Sequence, residues 1–175
     1  THRMSSAASD VYKRQSQNSA MKPEDFKNKE PRLIIENYLS GNVKAWGVLQ
    51  NRSGKVTRQF SADLNGQWDG KKLILDEKFN WDDGEIQTRQ WQITKIDDNN
   101  YEGIAGDVVG KAKGYSYGPA FKFEYVLLVP VKGKEMKITF DDWIFKQDDR
   151  VAINRATMTK FGIKVAELTV VFVKD

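Results

Sequence analysis

From Val43 to its last residues, the chain alternates apolar and polar residues in about ten short segments separated by turn residues. Three rows of apolar side chains show the alternation most clearly: Val56, Phe60, Ala62 and Leu64; Leu73, Leu75 and Phe79; and Phe121, Phe123, Tyr125, Leu127 and Val129. A period of two places every member of a row on one face of a β-strand. Many half-buried strands in series, with almost no helix between them, predict an all-β fold, an antiparallel up-and-down β-barrel of roughly eight to ten strands.

Turn residues set the predicted strand boundaries. Asp69-Gly70, Asp83-Gly84 and Lys132-Gly133 are typical of tight hairpins, which join antiparallel neighbours. One short N-terminal helix is predicted at residues 31–40, where it would cover one end of the barrel, because proline begins the segment and glycine follows it. We predict strands at residues 43–51, 55–66, 71–80, 85–96, 100–109, 111–118, 120–130, 135–145, 150–158 and 163–173.

The first residues differ in character from the rest of the chain. Residues 5–15 read SSAASDVYKRQ, which is the translation of a widely used transposase sequencing adaptor, and residues 1–4 fit the region upstream of it. We therefore interpret residues 1–15 as a sequencing-adaptor artefact on a metagenomic fragment and exclude them from the fold; the alternative is a genuine disordered N-terminus. Residues 16–30 are polar and aperiodic, as is typical of a tether, and residues 31–175 are predicted to form a single β-barrel domain.

Composition excludes several classes of function. The only histidine, His2, lies in the excluded segment and the chain has no cysteine, which rules out a Ser-His-Asp triad, a cysteine nucleophile and a typical zinc site. Setting aside the three basic residues and one acidic residue of the excluded segment lowers the formal net charge from +4 to +2. No long basic run remains, so nucleic-acid binding is not predicted. No apolar stretch approaches the roughly 18 residues of a membrane span, and no motif predicts a metal or a cofactor.

Five charged residues share a strand face with apolar residues: Arg58, Glu77, Arg89, Asp142 and Arg155. Because an unpaired buried charge is costly, we expect these side chains to meet one another or a ligand, in one connected network inside the barrel or at its mouth. Three arginines against two carboxylates would leave one guanidinium free, and arginine binds the oxygen pair of a carboxylate or phosphate. The surplus predicts an acidic head group on an apolar ligand. The alternative is a self-satisfied network of salt bridges.

We assign ligand binding to Arg58, Glu77, Arg89, Tyr125, Asp142 and Arg155. Two other functions stay open. Glu77, Asp107 or Asp142 could serve as acid or base in a small lipid- or isoprenoid-modifying enzyme, with an arginine as anion stabiliser. A barrel filled by its own side chains would instead be a ligand-free structural protein of the envelope. A pocket of about 300 Å³ or more would favour the first two functions, and a raised carboxyl pKa within it would favour the enzyme.

Several stretches together resemble a family of bacterial lipoproteins of unknown function, domain-of-unknown-function family 3833. They are Ala45-Trp46-Gly47, LNGQWDG (64–70), LDEKF (75–79), DDG (82–84), YEGIAGDVVGKAKG (101–114), FDDW (140–143), INRATMTKFG (153–162) and the closing VVFVKD. The resemblance covers residues 23–175 in order. The strand pattern also resembles the lipocalin-type (calycin) barrels.

The resemblance implies a location and a lipid context. Members of the family resemble secreted lipoproteins with a lipid-modified cysteine shortly before the KPEDF-like segment (residues 22–26), and they are often encoded near enzymes that modify acyl chains. The expected protein is a monomeric, periplasm-facing lipoprotein of the bacterial cell envelope, held at the membrane by a lipid anchor that this chain lacks. Its expected function is to bind or carry an acyl lipid or fatty-acid-like ligand inside the barrel, without a cofactor.

Overall fold

Ten antiparallel β-strands form a closed barrel in the computed structural model, which describes residues 20–175. Each strand pairs with the strand before it in the chain, and the last strand pairs with the first to close the barrel. The strands are β1 (Gly41–Asn51), β2 (Val56–Trp68), β3 (Lys72–Trp81), β4 (Ile86–Lys95), β5 (Asn100–Ile104), β6 (Ala112–Tyr117), β7 (Ala120–Val131), β8 (Lys134–Lys146), β9 (Val151–Lys160) and β10 (Ile163–Lys174). The predicted all-β, antiparallel up-and-down barrel is confirmed.

The alternation of the sequence becomes the two faces of the barrel wall. In β2, Phe60, Ala62 and Leu64 are buried, whereas Ser61 and Asp63 between them are exposed. Successive side chains of a strand point to opposite faces, so the apolar row fills the interior and the polar row meets solvent. The ten rows together supply the core of the barrel.

One end of the barrel is closed by residues 33–39, here called the plug. A short helix, α1 (Ile35–Tyr38), lies within it and is shorter than the helix predicted at 31–40. Leu33 and Ile35 are fully buried, and the Leu33 amide donates a hydrogen bond of 2.8 Å to the Gly118 carbonyl. The Tyr38 hydroxyl donates one of the same length to the Arg150 carbonyl. These hydrogen bonds to the barrel therefore fix the conformation of the plug, which contains one helical turn instead of the longer helix predicted from the sequence.

The opposite end, here called the mouth, carries the hairpin turns between β1 and β2, β3 and β4, β7 and β8, and β9 and β10. The strand predicted at 100–109 is wrong in its second half, because β5 ends at Ile104 and residues 105–111 form a loop. The Val109 amide donates to the Val126 carbonyl, and the Leu128 amide donates to the Asp107 carbonyl, each at 2.9 Å. These bonds hold the loop against β7, so the loop covers the part of the barrel wall that the short strands β5 and β6 do not reach.

Residues 20–30, within the segment predicted as a tether, include a 3₁₀ turn at Pro23–Phe26. The Phe26 ring packs on the outer face of β8, with its centroid 6.0 Å from that of Trp143 and 5.5 Å from that of Phe145. This contact buries Trp143 on the outer face. The interpretation of residues 1–15 as an adaptor artefact lies outside the described residues. Within residues 20–175, no helix combines the length and apolarity needed to cross a membrane.

Candidate functional site

A cavity of about 420 Å³ occupies the barrel interior between the plug and the mouth. Ile35 and Leu39 of the plug lie at its floor, and Glu85 and Val131 lie where it reaches the mouth. The wall between them is largely apolar and aromatic, with Leu75, Phe60, Trp91, Phe123, Tyr125, Phe140, Leu168 and Val170 among its residues. The volume lies within the range of small-molecule sites, which bury most of a ligand in an apolar cleft with a few polar groups.

Arg89 is the centre of a charged group in the wall of this cavity. Its Nε and Nη2 atoms donate to both carboxylate oxygens of Asp107 over 2.8–3.1 Å. Its Nη1 atom lies 3.8 Å from Oε1 of Glu77, the residue opposite it in the β3–β4 ladder. Burial disfavours the charged guanidinium, but Asp107 and Glu77 outweigh burial and raise the pKa of Arg89. Arg89 therefore stays charged, with one strong partner and one weak partner.

Glu77 is the poorly satisfied member of this group. Its Oε1 atom is buried and has no hydrogen-bond partner among the described residues. Burial raises the pKa of its carboxyl to about 7, against the opposing effect of Arg89, and nearby Asp142 raises the pKa further. At neutral pH, Glu77 is therefore close to the point at which it gains or loses a proton.

Asp142 lies in a second polar group in the same cavity. The Tyr125 hydroxyl donates to its Oδ2 atom over 2.9 Å, and the Asn154 amide donates to its Oδ1 atom. Asn154 also donates to the Trp143 carbonyl over 2.9 Å, which fixes the orientation of its amide. Burial raises the pKa of Asp142 to about 6, although the two hydrogen bonds oppose this shift. Burial also raises the pKa of Tyr125 well above its usual value, so its hydroxyl remains a donor.

Arg58 lies nearer the mouth and belongs to a separate group. Its guanidinium lies 3.9 Å above the Trp81 ring, and its atoms approach the carboxylates of Asp83 at 2.8 Å and Glu85 at 2.6 Å. Both acidic residues lie at the β3–β4 hairpin. The predicted single network is therefore wrong: Arg58 is matched at the mouth, apart from the Arg89 and Asp142 groups.

The predicted inward direction of Arg155 is also wrong. Its side chain lies on the outer face of β9, is 54% exposed, and approaches Glu167 at 3.8 Å. Ala152, Asn154 and Ala156 form the inner row of that strand, so Arg155 has the opposite parity. The predicted surplus of arginine is wrong as a consequence. The inner polar groups contain one arginine, Arg89, against the carboxylates of Glu77, Asp107 and Asp142.

The structure therefore brings together Glu77, Arg89, Tyr125 and Asp142 of the predicted ligand-binding residues, leaves Arg58 at the mouth, and separates Arg155 from them. Sequence reasoning missed Asn154. The sequence did contain a signal: Asn154 alternates with Ala152 and Ala156, and a row of small residues in a strand can also face the interior of a barrel. Among residues 20–175, no group of three or more side chains is placed to hold a metal ion.

The fold and the cavity define a closed antiparallel barrel with room for a small ligand. The chain belongs to the family described as "Protein of unknown function (DUF3833)", which matches residues 15–174 and confirms the resemblance at the level of the family. No curated protein matches the sequence.

Two solved structures share the barrel. The S-type phycobiliprotein lyase CPES from Guillardia theta is similar with a TM-score of 0.59 and 8% identity, over 80% of this chain and 90% of that chain. A protein of unknown function from the DUF3598 family of Nostoc punctiforme is similar with a TM-score of 0.57 and 17% identity. That similarity covers 84% of this chain but 51% of the other, so this chain spans about half of its length. At these identities, the similarities establish a common fold.

Proposed function

We propose that the protein binds a small, largely apolar ligand of the acyl-lipid or fatty-acid type inside its barrel. The observation that carries the proposal is the cavity of about 420 Å³ with its apolar and aromatic wall. A barrel filled by its own side chains would have no such space, so the ligand-free alternative is disfavoured. Apolar groups of the ligand would gain roughly 0.8 kcal/mol for each methylene that they bury against this wall.

The charges of the cavity suggest which end of the ligand reaches Glu77. Asp107 holds the Nε and Nη2 atoms of Arg89, and Glu77 faces its Nη1 atom at 3.8 Å, so both sides of the guanidinium already face a carboxylate of the chain. The buried, unpartnered oxygen of Glu77 would instead accept a hydrogen bond. A hydroxyl or a protonated carboxyl group would supply that bond without placing another negative charge beside three carboxylates.

Displacement of dansyl-labelled undecanoic acid tests the proposal. Val170 lines the cavity, and its neighbour Val171 points outward on the same strand. Val170→Phe should weaken binding of the probe about tenfold or more by filling the cavity, whereas Val171→Phe, the matched control, should leave it unchanged. Longer alkanols should displace the probe better than shorter ones. Failure of the wild-type protein to bind the probe, or equal binding by the two variants, would contradict the proposal.

A second candidate function rests on Glu77. A buried carboxyl with a pKa of about 7 inside a cavity suits a general acid or base at neutral pH, and Arg89 lies beside it. The protein would then modify a lipid or isoprenoid. Incubation with a bacterial lipid extract and mass analysis of the bound species would test this. An enzyme should change the mass of a bound lipid, Glu77→Gln should abolish that change while retaining the lipid, and recovery of only unmodified lipid would favour binding alone.

We also propose that the protein acts as a monomeric, lipid-anchored protein on the periplasmic side of the bacterial cell envelope. The support is the family resemblance in the sequence, together with an apolar cavity suited to a lipid. Fractionation of a bacterium that carries the gene should recover the protein with the membranes in a form labelled by a fatty-acid precursor. Recovery in the cytoplasmic fraction without label would contradict the proposal.

A further inference from the structure

The two ends of the barrel expose different surfaces. Three hairpins that are consecutive around the mouth, here called the rim, comprise residues 51–56, 131–134 and 160–163. Each of them exposes large apolar side chains: Val56, Val131, and Phe161 with Ile163. The hairpins at the plugged end expose one large apolar side chain among the residues that the structure describes, Ile96. Exposed apolar residues are therefore concentrated around the opening of the cavity.

Phe161 is the most unusual of these residues. Its side chain is 93% exposed at the tip of the β9–β10 hairpin. Its φ is +51°, and that of Gly162 is +75°, so both central residues of the turn are left-handed. Asparagine or glycine is the usual choice there, and a bulky aromatic residue is strained in that conformation. The Phe161 ring contributes nothing to the core in return, which points to a contact outside the chain.

The rim and the strand ends beside it are strongly basic. Residues 51–56, 131–137 and 160–164 contain seven basic residues against one acidic residue, Glu135, and one of the seven, Lys164, is paired with Glu167 just beyond the range at 2.9 Å. The basic residues are Arg52, Lys55, Lys132, Lys134, Lys137, Lys160 and Lys164. Six lysines would be unusual in an interface with another protein, where lysine is depleted. Lysines beside exposed aromatic and aliphatic side chains are instead typical of a surface that binds anionic membranes.

We infer that the rim docks on an anionic lipid surface, with Phe161 and Ile163 entering the interface and the lysines contacting the head groups. Because the rim surrounds part of the mouth, docking would place the opening of the cavity against the membrane. This inference goes beyond the proposed function, since it concerns a surface outside the cavity and would hold whatever ligand the cavity takes.

Co-sedimentation of the full chain with phosphatidylglycerol vesicles and with phosphatidylcholine vesicles tests the inference. Binding is expected to phosphatidylglycerol, to weaken with salt, and to be much weaker with phosphatidylcholine. Phe161→Asn should weaken it about tenfold or more, the scale of one buried aromatic side chain. Asparagine suits the left-handed turn, so this variant should unfold at the same or a higher temperature. Ile96→Asn, at the plugged end, is the matched control and should bind like the wild type.

Two charge-reversal variants test whether binding depends on the rim or on a general attraction of the basic chain to anionic lipid. Lys160→Glu should weaken binding to phosphatidylglycerol about fivefold or more, whereas Lys71→Glu at the plugged end should have little effect. Equal losses for the two variants, equal binding to both kinds of vesicle, or unchanged binding by Phe161→Asn would each overturn the inference. A smaller particle size for Phe161→Asn than for the wild type in gel filtration would also overturn it, because that result would mean that the rim joins copies of the chain. Phe161→Asn should still bind dansyl-labelled undecanoic acid in solution, so loss of cavity function and loss of docking are distinguishable.

Discussion

Two buried glutamates, one at the plug and one in the cavity, have opposite electrostatic properties. Glu36 accepts hydrogen bonds from the Lys95 ammonium at 2.5 Å and the Tyr101 hydroxyl at 2.6 Å. Burial acts to raise its pKa, but these bonds outweigh burial and lower it. The nearest cation to Glu77 is the Arg89 guanidinium at 3.8 Å, and burial raises the pKa of Glu77 to about 7 against the opposing effects of Arg89 and the Trp91 side chain.

The difference separates a charge that serves the fold from one that is available to a ligand. At the plug, every partner of Glu36 belongs to the barrel or to the plug, so the ion pair stabilises the closed end. In the cavity, the nearest cation is already held by Asp107, and an oxygen of Glu77 is left without a hydrogen bond. A buried group that the protein itself leaves unsatisfied destabilises the empty barrel and favours a ligand that can satisfy it.

The largest expected effect comes from testing how firmly each end is packed. A Cβ atom on Gly66 would lie 1.8 Å from the Leu39 carbonyl oxygen of the plug, whereas one on Gly47 would lie 2.3 Å from the edge of the Phe60 ring. The backbone of the plug cannot move away from a new Cβ atom on Gly66. The Phe60 ring borders the cavity, so it can rotate toward the cavity and relieve the clash with a new Cβ atom on Gly47. Gly66→Ala should lower the free energy of unfolding in urea by about 3 kcal/mol and Gly47→Ala by about 1 kcal/mol. Equal costs would show that the cavity end is packed as rigidly as the plug.

Glu36→Gln should have the next largest effect. It removes the ionised partner of half-buried Lys95 and should lower the free energy of unfolding at neutral pH by about 2–3 kcal/mol. Because the pKa of Glu36 is lowered, its contribution is present above the ordinary pKa of 4.5 and is lost as the pH falls through the lower folded value. Glu102→Gln, which affects an exposed pair with Lys111, is the control and should cost less than about 0.5 kcal/mol. A pH-independent loss in Glu36→Gln would contradict the ionic role.

Glu77→Gln should raise the free energy of unfolding near pH 8 by about 2 kcal/mol, which is the opposite of the effect of Glu36→Gln. The folded protein holds the Glu77 proton more tightly than the unfolded chain, so the contribution of Glu77 to stability is fully present below pH 4.5 and is lost as the pH rises to about 7. Glutamine cannot ionise, so the variant should be more stable than the wild type near pH 8 and equal to it near about pH 4. Asp142 contributes with the same sign up to about pH 6, so part of the slope should remain. Urea denaturation across this range measures the difference, and a loss of stability at the alkaline end would refute it.

The smallest effect is expected at Arg155. Its exposed side chain approaches Glu167 on the outer wall, so Arg155→Met should change the free energy of unfolding by less than about 0.5 kcal/mol. Binding of the dansyl fatty acid should be unchanged as well. A large change in either measurement would place Arg155 in the function of the barrel after all.

Strand parity predicted the direction of the charged residues wherever the alternation is regular. Glu77 lies between Leu75 and Phe79 in its row, and all three face the interior. The rule failed at Arg155, because the inner row beside it consists of the small residues Ala152, Asn154 and Ala156, while the more hydrophobic Ile153 lies on the outer row; the large residue of the inner row, Met158, comes later in β9. Aromatic side chains from other strands fill much of the interior, so β9 needs little volume there. Hydrophobicity of one strand cannot reveal what the other nine supply.

The partner of Arg89 was beyond the reach of periodicity. Asp107 lies in the loop at 105–111, and its position depends on how that loop crosses β7. A pattern within one strand carries no information on such a crossing. Likewise, the strain at Phe161 follows from the turn conformation that the β9–β10 hairpin adopts, whereas the sequence Lys160-Phe161-Gly162 shows only a possible turn.

The pairing of the first strand with the last affects how the protein is made. Val43 of β1 is opposite Lys174 of β10, so a nascent chain has two free sheet edges until nearly the whole domain has left the ribosome. Contacts between such distant positions form slowly, because the entropy of closing a long loop is lost before the strands can pair. Correct folding in the cell therefore requires that β10 pair with β1 faster than either unpaired edge associates with another unfinished chain.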